Sequence, residues 1–122
     1  MIKEIKKDVS YKLEDEVKSE ITKVKNTILD DFNDAYIYIF GSIAKGCYSK
    51  VSDIDILVLI SIDKSVKEIR QIRHTLEDKI EKLILDREVD LKIYDKDRFY
   101  QLSTKPSFES EILDDLIDIR MW

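Results

Sequence analysis

Two carboxylates, Asp53 and Asp55, alternate with Ile54 at the head of the apolar run Ile56-Leu57-Val58-Leu59-Ile60. In a strand, successive side chains point to opposite faces, so Asp53 and Asp55 project together while Ile54 and Ile56 point into a core. Like charges held that close repel and raise each other's pKa, which is costly unless a cation sits between them. All-oxygen ligation suits Mg²⁺, which takes one or two carboxylates and completes its shell with water and substrate phosphate. Ten residues separate this pair from Gly41-Ser42, which closes a second apolar run, Tyr36 to Phe40. A glycine there lets a phosphate approach the backbone, and unpaired N–H groups at a helix start bind anions. Taken alone, Gly41-Ser42 is an ordinary turn and the Asp pair a solvated strand edge. The apolar run after the pair points instead to a buried central strand, and ionised groups leading into one need a chemical reason.

The stretches Phe40-Gly41-Ser42-Ile43-Ala44-Lys45-Gly46 and Ser52-Asp53-Ile54-Asp55-Ile56-Leu57-Val58 together resemble the signature of the minimal nucleotidyltransferases of the DNA polymerase β superfamily. That signature is Gly-Ser, ten residues, then Asp-x-Asp, and the resemblance runs from Tyr36 to about Tyr94. It implies a third carboxylate on a later strand, for which Asp90 in Glu88-Val89-Asp90-Leu91-Lys92-Ile93-Tyr94 is the fitting candidate. It further implies that Asp53, Asp55 and Asp90 are catalytic and hold Mg²⁺, with two ions once substrate is bound. Gly41, Ser42, Lys45 and Ser52 are then expected to contact the nucleotide. Relatives often carry arginine where Ile43 and Lys45 stand here; Lys45 keeps the positive charge and Ile43 does not, so phosphate neutralisation is expected to be weaker. Lys45 is equally well read as a solvated lysine.

The surrounding elements must position these groups. Ile2, Ile5, Val9, Leu13, Val17, Ile21, Val24 and Ile28 follow the three-and-four spacing of one helical face, with a break expected near Ser10, and Asp31 to Asp34 reads as the turn into the first strand. A short helix is expected over Ile43 to Cys47, a loop over Tyr48 to Ser52, and a strand from Ser52 or Asp53. Ser65 and Glu68 have the spacing of a capping box at the start of a second long helix running to about Leu85. Its lone histidine, His74, reads as a surface residue. Val89, Leu91 and Ile93 alternate inward, so Asp90 faces the Asp53/Asp55 pair if the two strands are neighbours, while Glu88 and Lys92 on the same face read as a solvated ion pair. Short helices are expected around Arg98 to Leu102 and Phe108 to Leu113, with Pro106 at a helix N1 position, then a closing strand over Leu116 to Trp122 whose aromatic end meets an edge or a partner. The expected fold class is α/β (α+β), and the resemblance implies the nucleotidyltransferase fold: a small mixed sheet flanked by long helices.

The chain has 122 residues, which fits one domain over residues 1–122 but leaves no room for a large substrate domain, so the acceptor is expected to come from outside. The net charge of −5 disfavours a long nucleic acid as substrate. Cys47 is the single cysteine, which rules out an intramolecular disulfide or thiolate metal site; no apolar run is long enough to span a membrane, and a cytoplasmic location follows most simply. Resemblance to the stand-alone minimal members implies Mg²⁺-dependent transfer of AMP from ATP to a hydroxyl, a tyrosine of a helical HEPN-family toxin, with this chain as the antitoxin. The alternatives are an aminoglycoside-type nucleotidyltransferase, which usually carries an added helical domain, and a non-catalytic nucleotide- or toxin-binding module, which need not keep three carboxylates.

Overall fold

The computed structural model describes residues 13–61 and 65–122. The first amphipathic stretch forms α1 (Asp15–Asp31), which buries Val17, Ile21, Val24 and Ile28 along one face, as their spacing dictates. The apolar positions Ile2, Ile5 and Val9, and the break expected near Ser10, lie outside the described residues. After the turn at Phe32 the chain enters β1 (Tyr36–Phe40), passes without a linker into α2 (Gly41–Lys45), and returns as β2 (Ile54–Ile60). Then follow α3 (Val66–Glu81), β3 (Val89–Asp95), α4 (Lys96–Ser103), α5 (Phe108–Ile112), one 3₁₀ turn (Leu113–Asp115) and β4 (Ile117–Asp118).

The four strands form one sheet in the order β3-β2-β1-β4. β1 runs antiparallel to β2 and β4, whereas β2 and β3 are parallel. A parallel pair needs a long crossover, and α3 provides it. Alternation divides the strand residues between two cores. On one face Ile37, Ile39, Ile54, Ile56, Val58, Ile60, Leu91 and Ile93 pack with the buried stripe of α1 and with Leu76 and Ile80 of α3. On the other, Tyr38, Phe40, Leu57 and Leu59 pack with Phe99 of α4, Ile112 of α5, Leu113 and Leu116. The result is the mixed sheet flanked by helices expected of the nucleotidyltransferase fold, and its period-2 pattern puts Asp55 on the second face, one step from Leu57. Among the described residues, no helix is long and apolar enough to cross a membrane.

The capping box is present: the Glu68 N–H donates to Ser65 Oγ at 3.2 Å and the Ser65 N–H to Glu68 Oε1 at 3.3 Å. His74 is an exposed residue beside Glu77, as expected. Several boundaries differ from the sequence reading. α3 ends at Glu81 rather than Leu85, because Ile84 takes a left-handed conformation (φ 53°) that no helix continues through. Pro106 is not an N1 residue; Ser107 is the cap, its hydroxyl accepting from the Ser110 N–H at 3.2 Å, and α5 begins at Phe108. The closing strand shrinks to Ile117–Asp118, since beyond it the chain turns back on α1. There the buried Lys25 ammonium donates to the Trp122 carbonyl, and Lys18 sits 5.2 Å from the centre of the Trp122 ring. Trp122 thus packs against the first core rather than standing free for a partner.

Candidate active site

The site is assembled where β1 ends and β2 begins. In the antiparallel register Phe40 is the partner of Asp55, and in the parallel register Asp55 is the partner of Asp90. Neighbouring strands lie about 4.8 Å apart, so the carboxylates of β2 and β3 stand side by side on one face. The conditional expectation for Asp90 is met by strand pairing. Asp53 lies one residue ahead of β2, which begins at Ile54 rather than at Asp53, and is exposed. Its charge still reaches Asp55.

Gly41 is required here for two reasons that reinforce each other. Its φ of 74° is left-handed, and a Cβ built on it would overlap Oδ2 of Asp55 and lie 3.1 Å from Cγ. The Asp55 carboxylate therefore rests directly against the backbone that opens α2. Replacing Gly41 is expected to disturb the backbone and Asp55 together, besides obstructing the approach of a phosphate. α2 itself starts at Gly41, two residues earlier than the sequence suggested, and no side chain caps its first turn. Gly46 (φ 77°) closes it: the Gly46 N–H donates to the Ile43 carbonyl at 3.1 Å and the Cys47 N–H to the Ser42 carbonyl at 3.0 Å.

The loop back to β2 is held by a residue that sequence reasoning missed. Nη1 of Arg87 donates to the carbonyls of Ser49 and Ser52, each at 2.7 Å, and the guanidinium lies 5.3 Å from the centre of the Tyr48 ring. One arginine just before a strand gives no sequence signal for this. The Ser52 hydroxyl accepts from the Ser49 N–H at 2.9 Å, so in this structure it shapes the turn. Lys45 pairs with Asp115 at 3.5 Å, tying α2 to the 3₁₀ turn, and its side chain is half exposed. Lys92 pairs with Asp90 along its own strand at 3.5 Å, not with Glu88.

Electrostatics mark Asp55. Burial first, then the charges of Asp90 and Asp53, together push its carboxyl up from 3.8 to about 6, against the opposing pull of Lys92. Such a crowd of carboxylates fits a hard divalent cation held by one or two of them, with water and phosphate filling the shell. Among the described residues, no three His, Cys, Asp or Glu side chains are already gathered closely enough to hold a metal on their own. Asp53 is exposed, and the Asp90 and Lys92 side chains are 45% and 38% exposed, so the carboxylate face opens directly to solvent. Clefts of about 350 to 410 Å³ lie elsewhere, one of them, about 410 Å³, between the end of α3 and the start of β3, lined by Ile80, Leu85, Val89 and Leu91.

A family model of the nucleotidyltransferase domain matches residues 21–119, from the middle of α1 to just past β4 and across every element of the site. No curated protein matches the sequence. With the fold and the matched span in agreement, the chain belongs to the nucleotidyltransferase domain family.

Proposed function

We propose that this protein transfers AMP from ATP to a hydroxyl of a partner protein, a tyrosine of a helical HEPN-family toxin, and thereby acts as the antitoxin. Family membership supports nucleotidyl transfer in general. The observation that carries the site assignment is the strand register that pairs Asp55 with Asp90 and rests Asp55 against Gly41.

In this reading Asp53 and Asp55 would hold Mg²⁺ together with the nucleotide, and Asp90 would complete the site on the acceptor side. Bound Mg²⁺ stabilises the charge that develops on the triphosphate during in-line displacement. Gly41 and Ser42 seat the phosphates, Arg87 fixes the loop that carries Ser52 and Asp53, and Asp90 orients the acceptor hydroxyl toward the α-phosphorus. The acceptor oxygen bonds to that phosphorus as the bond to the pyrophosphate oxygen breaks, and the hydroxyl proton passes to solvent. The open carboxylate face favours a protein acceptor over a small aminoglycoside-like molecule, which is usually held in an enclosed pocket. The net charge of −5 favours a basic partner. One domain over residues 1–122, working in the cytoplasm, is sufficient for this chemistry.

The test is co-expression with the neighbouring gene product, size-exclusion chromatography, and intact-mass analysis after adding ATP and Mg²⁺. A shared peak and one AMP adduct on a partner tyrosine are expected. Separate peaks at micromolar concentration with an unmodified partner would reject the antitoxin role.

A further inference from the structure

A triphosphate beside the three carboxylates brings more negative charge than two magnesium ions neutralise, and the other nearby cations hold contacts of their own. Position 43 carries a buried isoleucine, Lys45 is paired with Asp115, and Arg87 is committed to the carbonyls of Ser49 and Ser52. Lys92 is different. It lies on β3 two residues beyond Asp90, its Nζ is 3.5 Å from Asp90 Oδ1, and its charge also acts on Asp55, which rests on Gly41. The ion pair is long and part exposed, a kind that exchanges readily.

We propose that Lys92 is a phosphate ligand held in waiting: its ammonium neutralises Asp90 in the metal-free protein and turns to the non-bridging oxygens of the nucleotide triphosphate once a divalent cation takes the carboxylates. The inference rests on the active-site reading above. Its logic is charge balance. An ammonium and a divalent cation repel each other, so they do not share one carboxylate without cost, whereas a triphosphate offers the displaced ammonium a new anionic partner. Lys92 therefore opposes binding of the metal alone and favours binding of metal and nucleotide together.

Those opposite signs make the test sharp. Titration calorimetry on the wild type, Lys92→Met and Lys92→Arg would use two probes, Mg²⁺ alone and Mg²⁺ with α,β-methylene ATP, which cannot react. Removing one part-screened charge is expected to tighten Mg²⁺ alone by roughly three- to tenfold and to weaken the magnesium–analogue complex by a similar factor. Lys92→Arg should follow the wild type with both probes, which a packing role would not predict. Unchanged affinities in Lys92→Met, or shifts of the same sign with both probes, would overturn the proposal while leaving the active site standing. A wild type that binds no analogue at millimolar concentration would overturn both.

Discussion

Replacing Asp55 with asparagine should stabilise the metal-free protein, although it removes a residue placed at the centre of the site. The Asp55 carboxyl is raised from 3.8 to about 6, first by burial and then by Asp90 and Asp53. A folded-state pKa above the unfolded value means that the native protein binds the proton more tightly. The associated stability is fully present below about pH 4 and is lost as pH rises through about 6. A shift of about two units corresponds to at most about 3 kcal/mol at 1.36 kcal/mol per unit. Asp55 is only half buried, and solvent screening reduces this to about 1 kcal/mol. Asparagine keeps the shape and has no charge to neutralise. In low-salt buffer with a chelator at pH 7.5, Asp55→Asn should therefore melt about 3–5 °C above the wild type. At pH 4 the two should coincide. Excess Mg²⁺ should raise the wild-type midpoint and leave the variant unmoved. Calorimetric melts at both pH values decide the matter. A variant less stable than the wild type by the same margin at pH 4 and pH 7.5 would show that Asp55 is a structural hydrogen-bonding group, and the crowded-carboxylate argument would fail.

Gly41→Ala should lower stability by about 1–2 kcal/mol through the left-handed backbone and should also displace Asp55; urea denaturation and Mg²⁺ titration of the folded variant should show both losses. Arg87→Met removes two hydrogen bonds to carbonyls of the loop and should cost about 1–3 kcal/mol while weakening nucleotide binding, read by denaturation midpoint and by calorimetry with an ATP analogue. Ser107→Ala removes the α5 cap and should cost about 1 kcal/mol without changing nucleotide affinity, which separates a scaffold lesion from a site lesion in the same two assays.

The strand context of the candidate carboxylates was more legible in the sequence than the packing around them. Gly41-Ser42 and Asp53-x-Asp55 were legible because each draws its meaning from neighbours a few residues away, where strand alternation fixes the side-chain direction. Asp90 needed one extra piece of information, the pairing of β2 with β3, because a strand's partner is a long-range property. The clash that forbids a Cβ at Gly41 joins residues 41 and 55 and is invisible to local pattern, as are the reach of Arg87 back to Ser49 and Ser52 and the pairing of Lys45 with Asp115. Lys92 was placed on the right face but given Glu88 as partner, since alternation shows which residues share a face and not which two touch. The C-terminal strand was overread for a related reason. Leu116, Ile117 and Ile119 are buried as a strand's would be, yet only Ile117 and Asp118 are register partners of β1; Ile119 adds a single N–H bond to the Ile37 carbonyl, and Trp122 is drawn toward α1 through Lys25.

The central claim is that Asp55 and Asp90, neighbours in register, divide the work of nucleotidyl transfer between nucleotide and acceptor. It is tested most directly with ATP labelled at the α-phosphate, Mg²⁺ and the co-purified partner, following label transfer for the wild type and Asp90→Asn beside calorimetric binding of the unreactive analogue. The account predicts near wild-type analogue binding for Asp90→Asn together with loss of label transfer by at least about two orders of magnitude, the scale of a lost catalytic group. Undiminished labelling by Asp90→Asn would contradict it and direct attention to Glu88, the carboxylate just ahead of β3.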